Sequence, residues 1–139
     1  MQHFYYDSRD KKRRRALRNA ALCFVFLWFF LGGIAHFVFT EAEMRIVPGF
    51  IPWPREAVLV SGAFELLGAA GVLVRRFRRA AGWGLCLLTL AVTPANVVML
   101  LNAQDYAVPY WLLVARLPFQ LVLLGLILWS TAPAPTRRP

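Results

Sequence analysis

Four long apolar segments, separated by short polar or proline-rich stretches, dominate the pattern of hydrophobic and polar positions in this chain. They cover approximately residues 17–39, 57–74, 80–101 and 110–131. Each is close to the roughly 20 residues that an α-helix needs to cross the hydrocarbon core of a bilayer. The pattern therefore predicts an all-α, polytopic membrane domain over residues 17–131, built as a four-helix up-and-down bundle.

Polar segments flank this domain at both ends. Residues 1–16 are predicted to form a basic cytoplasmic arm, and residues 132–139 a cytoplasmic tail. Hydrophobic residues make up 59% of the 139-residue chain, whereas soluble domains contain about 45–50%. Composition therefore supports a membrane protein.

The net charge of +9 is distributed unevenly along the chain. Thirteen basic residues lie in the N-terminal stretch, in the link between the second and third spans, and at the C-terminus, whereas the other two loops contain only Arg45 and Arg55. By the positive-inside rule both termini are predicted to be cytoplasmic, with loops 40–56 and 102–109 outside. The lipid bilayer is the expected contact, and no nucleic-acid partner is predicted because the basic stretches lack interleaved aromatic residues.

Five polar residues interrupt the apolar spans at similar depths. At a rise of ~1.5 Å per residue, they lie roughly 5–15 Å from the outer ends of their spans: His36, Glu65, Asn96, Arg116 and Gln120. An unpaired charge at this depth costs about 2.5–3.5 kcal/mol. We therefore expect a buried salt bridge between Glu65 and Arg116, with the other three side chains satisfying the remaining donors and acceptors.

The sequence leaves three interpretations of this polar cluster open. It is a clamp that fixes helix register, a pocket for a small ligand or headgroup, or a path for protons or ions. No group of histidines and carboxylates has metal-ligand spacing, so no metal site is predicted. Cys23 and Cys86 are expected to be two buried thiols rather than a redox pair. Cys23 and His36 lie on different faces of one helix, so the two side chains cannot both point to the same core of the bundle.

The first outer loop is unusually apolar for a loop. Pro48, Pro52 and Pro54 prevent a continuous helix there, and Trp53 is suited to the membrane interface. The segment is predicted to fold as a lid over the outer mouth of the bundle. A plain interfacial loop anchored by Trp53 is the alternative.

Seven short motifs, in this order along the spans, resemble those of the DoxX-like family of small bacterial four-helix membrane proteins, which is related to the protein MauE. They are His36-Phe37, Ile46-Val47-Pro48, Ile51-Pro52, Ser61-Gly62, Glu65, Pro94-Ala95-Asn96 and Arg116-Leu117-Pro118-Phe119-Gln120. The resemblance implies an up-and-down bundle in the bacterial inner (plasma) membrane. It also implies a link to membrane redox systems, since some relatives belong to a quinone-reducing thiosulfate oxidoreductase.

Three functions follow as hypotheses. The first is an accessory subunit of a membrane redox system, with a quinone or lipid-like ligand near Glu65 and Arg116 and with a redox partner or a homo-oligomer. The second is a small transport or permeation protein in which Glu65 titrates. The third is a non-catalytic interaction or scaffold protein. The chain is not expected to be an enzyme on its own, and no catalytic residue is assigned.

Overall fold

The computed structural model describes the backbone of residues 2–133 and the side chains of residues 9–133. Six α-helices follow one another along the chain: α1 Gln2–Val38, α2 Thr40–Met44, α3 Pro54–Leu73, α4 Arg78–Ala91, α5 Thr93–Leu101 and α6 Tyr110–Thr131. A 3₁₀ helix, Ala103–Asp105, precedes α6, and no strand occurs within residues 2–133. The predicted all-α class is confirmed. Most of the predicted tail, residues 132–139, lies outside the described residues.

Within the described part of the chain, four helical stretches are long and apolar enough to cross a membrane: Arg9–Val38, Pro54–Leu73, Arg78–Leu101 and Tyr110–Thr131. The third of these combines α4 and α5. The chain therefore has the architecture of a multi-pass membrane protein, as the hydrophobic pattern predicts.

The four spans form a closed ring in which each helix packs against the next. α1 contacts α3, α3 contacts α4, α4 and α5 contact α6, and α6 returns to α1. Neighbours run in opposite directions: along α1 and α6, for example, Arg18 bonds Ser130 while the rings of Trp28 and Phe119 lie 4.7 Å apart. The result is an up-and-down arrangement.

The centre of the ring is filled by apolar side chains from all four spans. The buried cluster consists of Val25, Phe29, Ala69, Val72, Leu85, Cys86, Leu123 and Ile127. Many large apolar side chains on the outside of the bundle are exposed, such as Leu67 and Leu87. An apolar exterior of this kind suits contact with lipid tails, so tight packing of small residues has to contribute to helix association.

Glycines bring α1 and α3 into backbone contact. A Cβ atom added at Gly33 would lie 2.9 Å from the carbonyl oxygen of Gly62, and one added at Gly62 would lie 2.7 Å from Cβ of His36. Only glycine fits at these two positions without a shift of the neighbouring helix. This close crossing places His36 directly against α3.

Arginines cap helices at the opposite end of the bundle, which we call the basic end. Nε of Arg18 donates to the carbonyl oxygen of Ser130 at 2.9 Å, and Nε of Arg78 donates to that of Val72 at 2.7 Å. Both carbonyls lie in the last turns of their helices, where intrahelical partners are missing and a positive charge is favourable.

The third span is broken next to a proline. α4 ends at Ala91 and α5 starts at Thr93, followed by Pro94, which has no N–H to donate. Pro118, by contrast, lies inside α6, which remains one helix. The first span also differs from the predicted division, because α1 begins at Gln2 and the arm is therefore a direct continuation of the span.

Candidate functional site

Glu65 projects from α3 towards α1 and contacts His36. The distance between Nε2 of His36 and Oε1 of Glu65 is 3.5 Å, and the two side chains are 16% and 12% exposed. The Glu65 carboxylate also packs against Gly32, where any added Cβ would collide with Oε2. The glycine therefore makes the space that this carboxylate occupies.

The second ring nitrogen of His36 faces another carboxylate. Nδ1 is buried and forms an ion pair with Oε2 of Glu43, although the geometry is not that of an aligned hydrogen bond. We call these three side chains the Glu43–His36–Glu65 triad, and the end of the bundle that contains them the triad end. Ion pairs with both carboxylates require the imidazolium form, in which each ring nitrogen carries a proton.

A tight turn after α1 brings Glu43 back to the imidazole ring of His36. α1 ends at Val38, and the backbone N–H groups of Ala42 and Glu43 both donate to the carbonyl oxygen of Phe39, each at 3.0 Å. Thr40 Oγ1 donates to the carbonyl of His36 at 2.7 Å and fixes the start of this turn. The triad thereby connects the short helix α2, in the loop between the first two spans, with those two spans.

The predicted salt bridge between Glu65 and Arg116 is wrong. Arg116 is exposed, and its Nη1 contacts Asn96 Oδ1 at 3.5 Å and Met99 Sδ at 3.2 Å. The break at Val92 directs α5 against α6, which brings Asn96 to Arg116. Glu65 faces α1 instead, where His36 takes the place of the expected arginine.

Gln120 forms a hydrogen bond next to the break in the third span and does not contact the triad. It is buried, and its Nε2 donates to the carbonyl oxygen of Thr89 at 3.1 Å. The hydroxyl of Thr93 donates to the same carbonyl at 3.1 Å. A backbone acceptor next to the helix break is thus satisfied by two side chains, as burial of a polar group requires.

The structure thus divides the five predicted residues into three separate sets. His36 and Glu65 are in contact, Asn96 and Arg116 are in contact, and Gln120 bonds the backbone of α4. Glu43 is the member that sequence reasoning missed. No helix periodicity could have identified it, because its contact with His36 depends on the turn at Phe39 between α1 and α2.

The predicted lid residues lie in different environments. Pro48 is buried and Pro54 begins α3, whereas Pro52 and Trp53 are exposed, Trp53 by 68%. The loop between the first two spans instead reaches His36 and Glu65 through Glu43. It also contacts the loop between the third and fourth spans, because the hydroxyl of Tyr106 donates to the carbonyl of Arg45 at 3.1 Å.

The two cysteines are not paired. Cys86 is buried as expected, but Cys23 is exposed on the outside of α1, so the prediction of two buried thiols is wrong for Cys23. Among the residues whose side chains are described, no group of three or more histidine, cysteine, aspartate or glutamate side chains is arranged to hold a metal ion.

Fold and site together define a class: a small all-α membrane protein with four spans and an ionisable triad at one end. A family model described as a domain of unknown function, DUF8561, matches residues 22–133, which is most of the chain. The chain belongs to this family. No curated protein and no solved structure gives a match.

Proposed function

We propose that this chain is a DoxX-like accessory subunit of a redox system in the bacterial inner membrane, and that the Glu43–His36–Glu65 triad exchanges protons for that system. The observation that carries the proposal is the continuous contact from Glu43 in the outer loop, through His36, to Glu65 within a span. The partner supplies the electrons, so the chain is not a complete enzyme.

Three titratable side chains in contact suit this task because each can pass a proton to the next. Chains of Asp, Glu and His within membrane spans are the usual proton relays of membrane proteins. Imidazole takes up a proton at one ring nitrogen and releases one from the other, so His36 can connect the two carboxylates. A quinone that receives two electrons takes up two protons, and the triad would provide a route for them.

The ligand would be a quinone or another lipid-like molecule next to Glu65. Glu65 is only 12% exposed, and the centre of the bundle is filled by apolar side chains. A redox partner, or a second copy of the chain, would therefore supply the remaining wall of the pocket. Arg116 would not take part in this pocket, because it contacts Asn96 instead of Glu65.

The proposed orientation has both termini in the cytoplasm and Glu43 on the outer side. Support comes from the arginines of the basic end and from the basic first helix, which the positive-inside rule assigns to the cytoplasm. In this orientation the triad would exchange protons with the periplasmic side.

Purification into nanodiscs directly from native membranes tests the proposal. We expect bound quinone and a co-purifying redox protein, identified by mass spectrometry. We also expect the proton uptake that accompanies quinone reduction, followed with an external pH dye, to fall in Glu65→Gln and in Glu43→Gln. Glu41→Gln is the matched control, because Glu41 is an exposed residue of the same short helix. Wild-type protein with neither quinone nor a redox partner would overturn the proposal.

A scaffold without redox chemistry is the second candidate. It is favoured by the location of the triad on the glycine-lined crossing of α1 and α3, where an ion pair can fix helix register. In that case Glu65→Gln lowers the unfolding free energy but leaves proton uptake unchanged. A measurement on the chain alone, reconstituted in liposomes, distinguishes a permeation protein from a redox subunit and from a scaffold. A proton flux that Glu65→Gln abolishes would identify permeation.

A further inference from the structure

An open groove runs along the outside of the bundle between α3 and α4. It has a volume of about 650 Å³ and is lined almost entirely by apolar side chains. Its floor is narrow because the helices approach closely: an added Cβ at Gly71 would lie 2.7 Å from Cβ of Ala81. Its walls are the larger side chains of Phe64, Leu67 and Leu87, each more than half exposed.

The dimensions of the groove fit one leaflet of a bilayer. On α4 its lining extends from Ala80 to Ala91, which is about 16 Å at a rise of ~1.5 Å per residue. One leaflet contributes half of the ~30 Å hydrocarbon core. A groove of this length and chemistry accommodates an extended acyl chain.

Positive charge is concentrated where the groove reaches the basic end. The turn between α3 and α4, together with the first two residues of α4, contains four arginines, of which Arg75, Arg76 and Arg79 are exposed. Arg78 is engaged in capping α3 through the carbonyls of Val72 and Leu73. The sequence has no acidic residue between Glu65 and Asp105 that could neutralise the three exposed arginines from within these spans.

Phe77 joins the charged turn to the apolar groove. Its ring lines the groove, and the guanidinium carbon of Arg76 lies 5.9 Å from the ring centroid. The apolar wall and the positive charge are therefore adjacent at the membrane surface, as an amphipathic ligand with a negative head requires.

From this arrangement we infer that the α3–α4 groove is a binding site for an anionic glycerophospholipid. One acyl chain lies along Gly68, Gly71 and Gly84, and the phosphate lies against Arg75, Arg76 and Arg79. This site is separate from the triad, because Glu65 faces α1 and not the groove. Arginine forms bidentate hydrogen bonds with phosphate oxygens. Three exposed arginines without an acidic neighbour in these spans also attract a headgroup of net negative charge more strongly than a zwitterionic one.

Native mass spectrometry of the full chain, released from nanodiscs of phosphatidylglycerol or phosphatidylcholine, tests the inference. We expect a retained phosphatidylglycerol and weaker retention of phosphatidylcholine. Gly84→Leu fills the groove, since a Cβ there meets nothing within 4 Å. It should lower retention at least about tenfold, the equivalent of roughly two buried methylene groups. The matched control is Gly125→Leu in α6, where a Cβ also meets nothing within 4 Å; it should leave retention unchanged.

Charge is tested separately. Replacing Arg75, Arg76 and Arg79 together by Gln should reduce the preference for phosphatidylglycerol by at least about tenfold, because each basic residue near the surface adds to the attraction. Replacing Lys12, Arg13 and Arg14 by Gln removes the same charge from α1 and should leave the preference intact. Equal effects of the two triple variants would contradict the assignment of the headgroup.

A photoreactive residue keeps the inference testable even if Gly84→Leu does not fold. Placed at Leu87, which lines the groove, it should cross-link phosphatidylglycerol more than when placed at Leu90, which is exposed on α4 but does not line the groove. Equal cross-linking at the two positions would overturn the inference. So would a Gly84→Leu variant that dissociates a dimer without any loss of lipid, since the groove would then be an interface between copies of the chain.

Discussion

At the scale of single residues, His36 determines how charge is arranged at the triad end. Its ring lies between Glu43 and Glu65, and each of its two nitrogens faces one of these carboxylates. The position of the ring follows from Gly62, which lets α3 approach the Cβ of His36. The small size of Gly62 on α3 thus determines where the imidazole of His36 lies on α1.

The first prediction concerns the contact between His36 and Glu65. His36→Gln leaves the Glu65 carboxylate in the span without its partner and should lower the unfolding free energy by on the order of 2 kcal/mol. Glu65→Gln should lower it less, because His36 still contacts Glu43. The double variant should lose less than the sum of the two, measured by steric trapping or detergent unfolding. Additive losses would contradict the contact.

The second prediction concerns Arg116. Because Arg116 is exposed and contacts Asn96 at 3.5 Å, Arg116→Gln should change the unfolding free energy by less than about 1 kcal/mol. Combined with Glu65→Gln, its effect should be additive within about 0.5 kcal/mol, as for residues without a shared partner. A clear coupling energy between Glu65 and Arg116 would contradict the structure, because it would show that the two side chains form an ion pair.

Sequence alone could place Glu65 and His36 at a common depth, because depth follows from counting residues along a helix. It could not select His36 over Arg116 as the partner, since that depends on the rotation of each helix about its own axis. Arg116 and Gln120 show how sensitive this is: residues four apart differ by about 40° around a helix, and here Gln120 is buried while Arg116 is exposed.

At the scale of helices, the bundle is held at crossings between small residues. At one of these, a Cβ on Gly33 would lie 2.8 Å from Cγ of Leu66 and 2.9 Å from a backbone oxygen. In lipid there is no hydrophobic gain from bringing two helices together, so such close packing is one of the main sources of association. The α1–α3 crossing should therefore be intolerant of added atoms.

The third prediction compares two glycine substitutions. Gly33→Ala should destabilise the protein by about 1–3 kcal/mol, because the added methyl meets backbone and forces α1 and α3 apart. Gly125→Ala adds the same methyl where nothing lies within 4 Å. It should be neutral or stabilising by up to about 1 kcal/mol, through helix propensity alone. Detergent unfolding of both variants, with helix content from circular dichroism, gives the comparison; equal losses would contradict the crossing.

Hydrophobic pattern was sufficient for the four spans, because a bilayer demands one long apolar run per crossing. It was not sufficient for α2 or for the break at Val92. Helix α2 has only five residues, too few for a periodic signal, and its position depends on the turn at Phe39. The break at Val92 lies just before Pro94, whereas Pro118 lies inside the unbroken α6, so proline alone does not divide a helix.

At the scale of the whole molecule, the two ends of the bundle differ in charge. Arg18 and Arg78 cap helices at the basic end, while Glu43 and Glu65 lie at the triad end. Such an asymmetry is the feature that membrane insertion responds to, because it favours retention of arginine and lysine in the cytoplasm.

The fourth prediction is the orientation itself. A fluorescent protein fused after Pro139 should be fluorescent, and alkaline phosphatase fused at the same place should be inactive, since both report a cytoplasmic C-terminus. Alkaline phosphatase inserted in the loop between Leu101 and Tyr110 should be active. The opposite result for all three fusions would place the triad on the cytoplasmic side and reverse the direction of proton exchange.

The continuity of α1 has a mechanical consequence. Its 37 residues extend about 55 Å at ~1.5 Å per residue, well beyond a hydrocarbon core of ~30 Å. The segment of α1 before Arg18 therefore projects beyond the hydrocarbon core as a rigid helix, and the bond from Arg18 to Ser130 attaches its base to α6. A force applied to the projecting end is transmitted along one unbroken helix to His36 on the far side of the membrane.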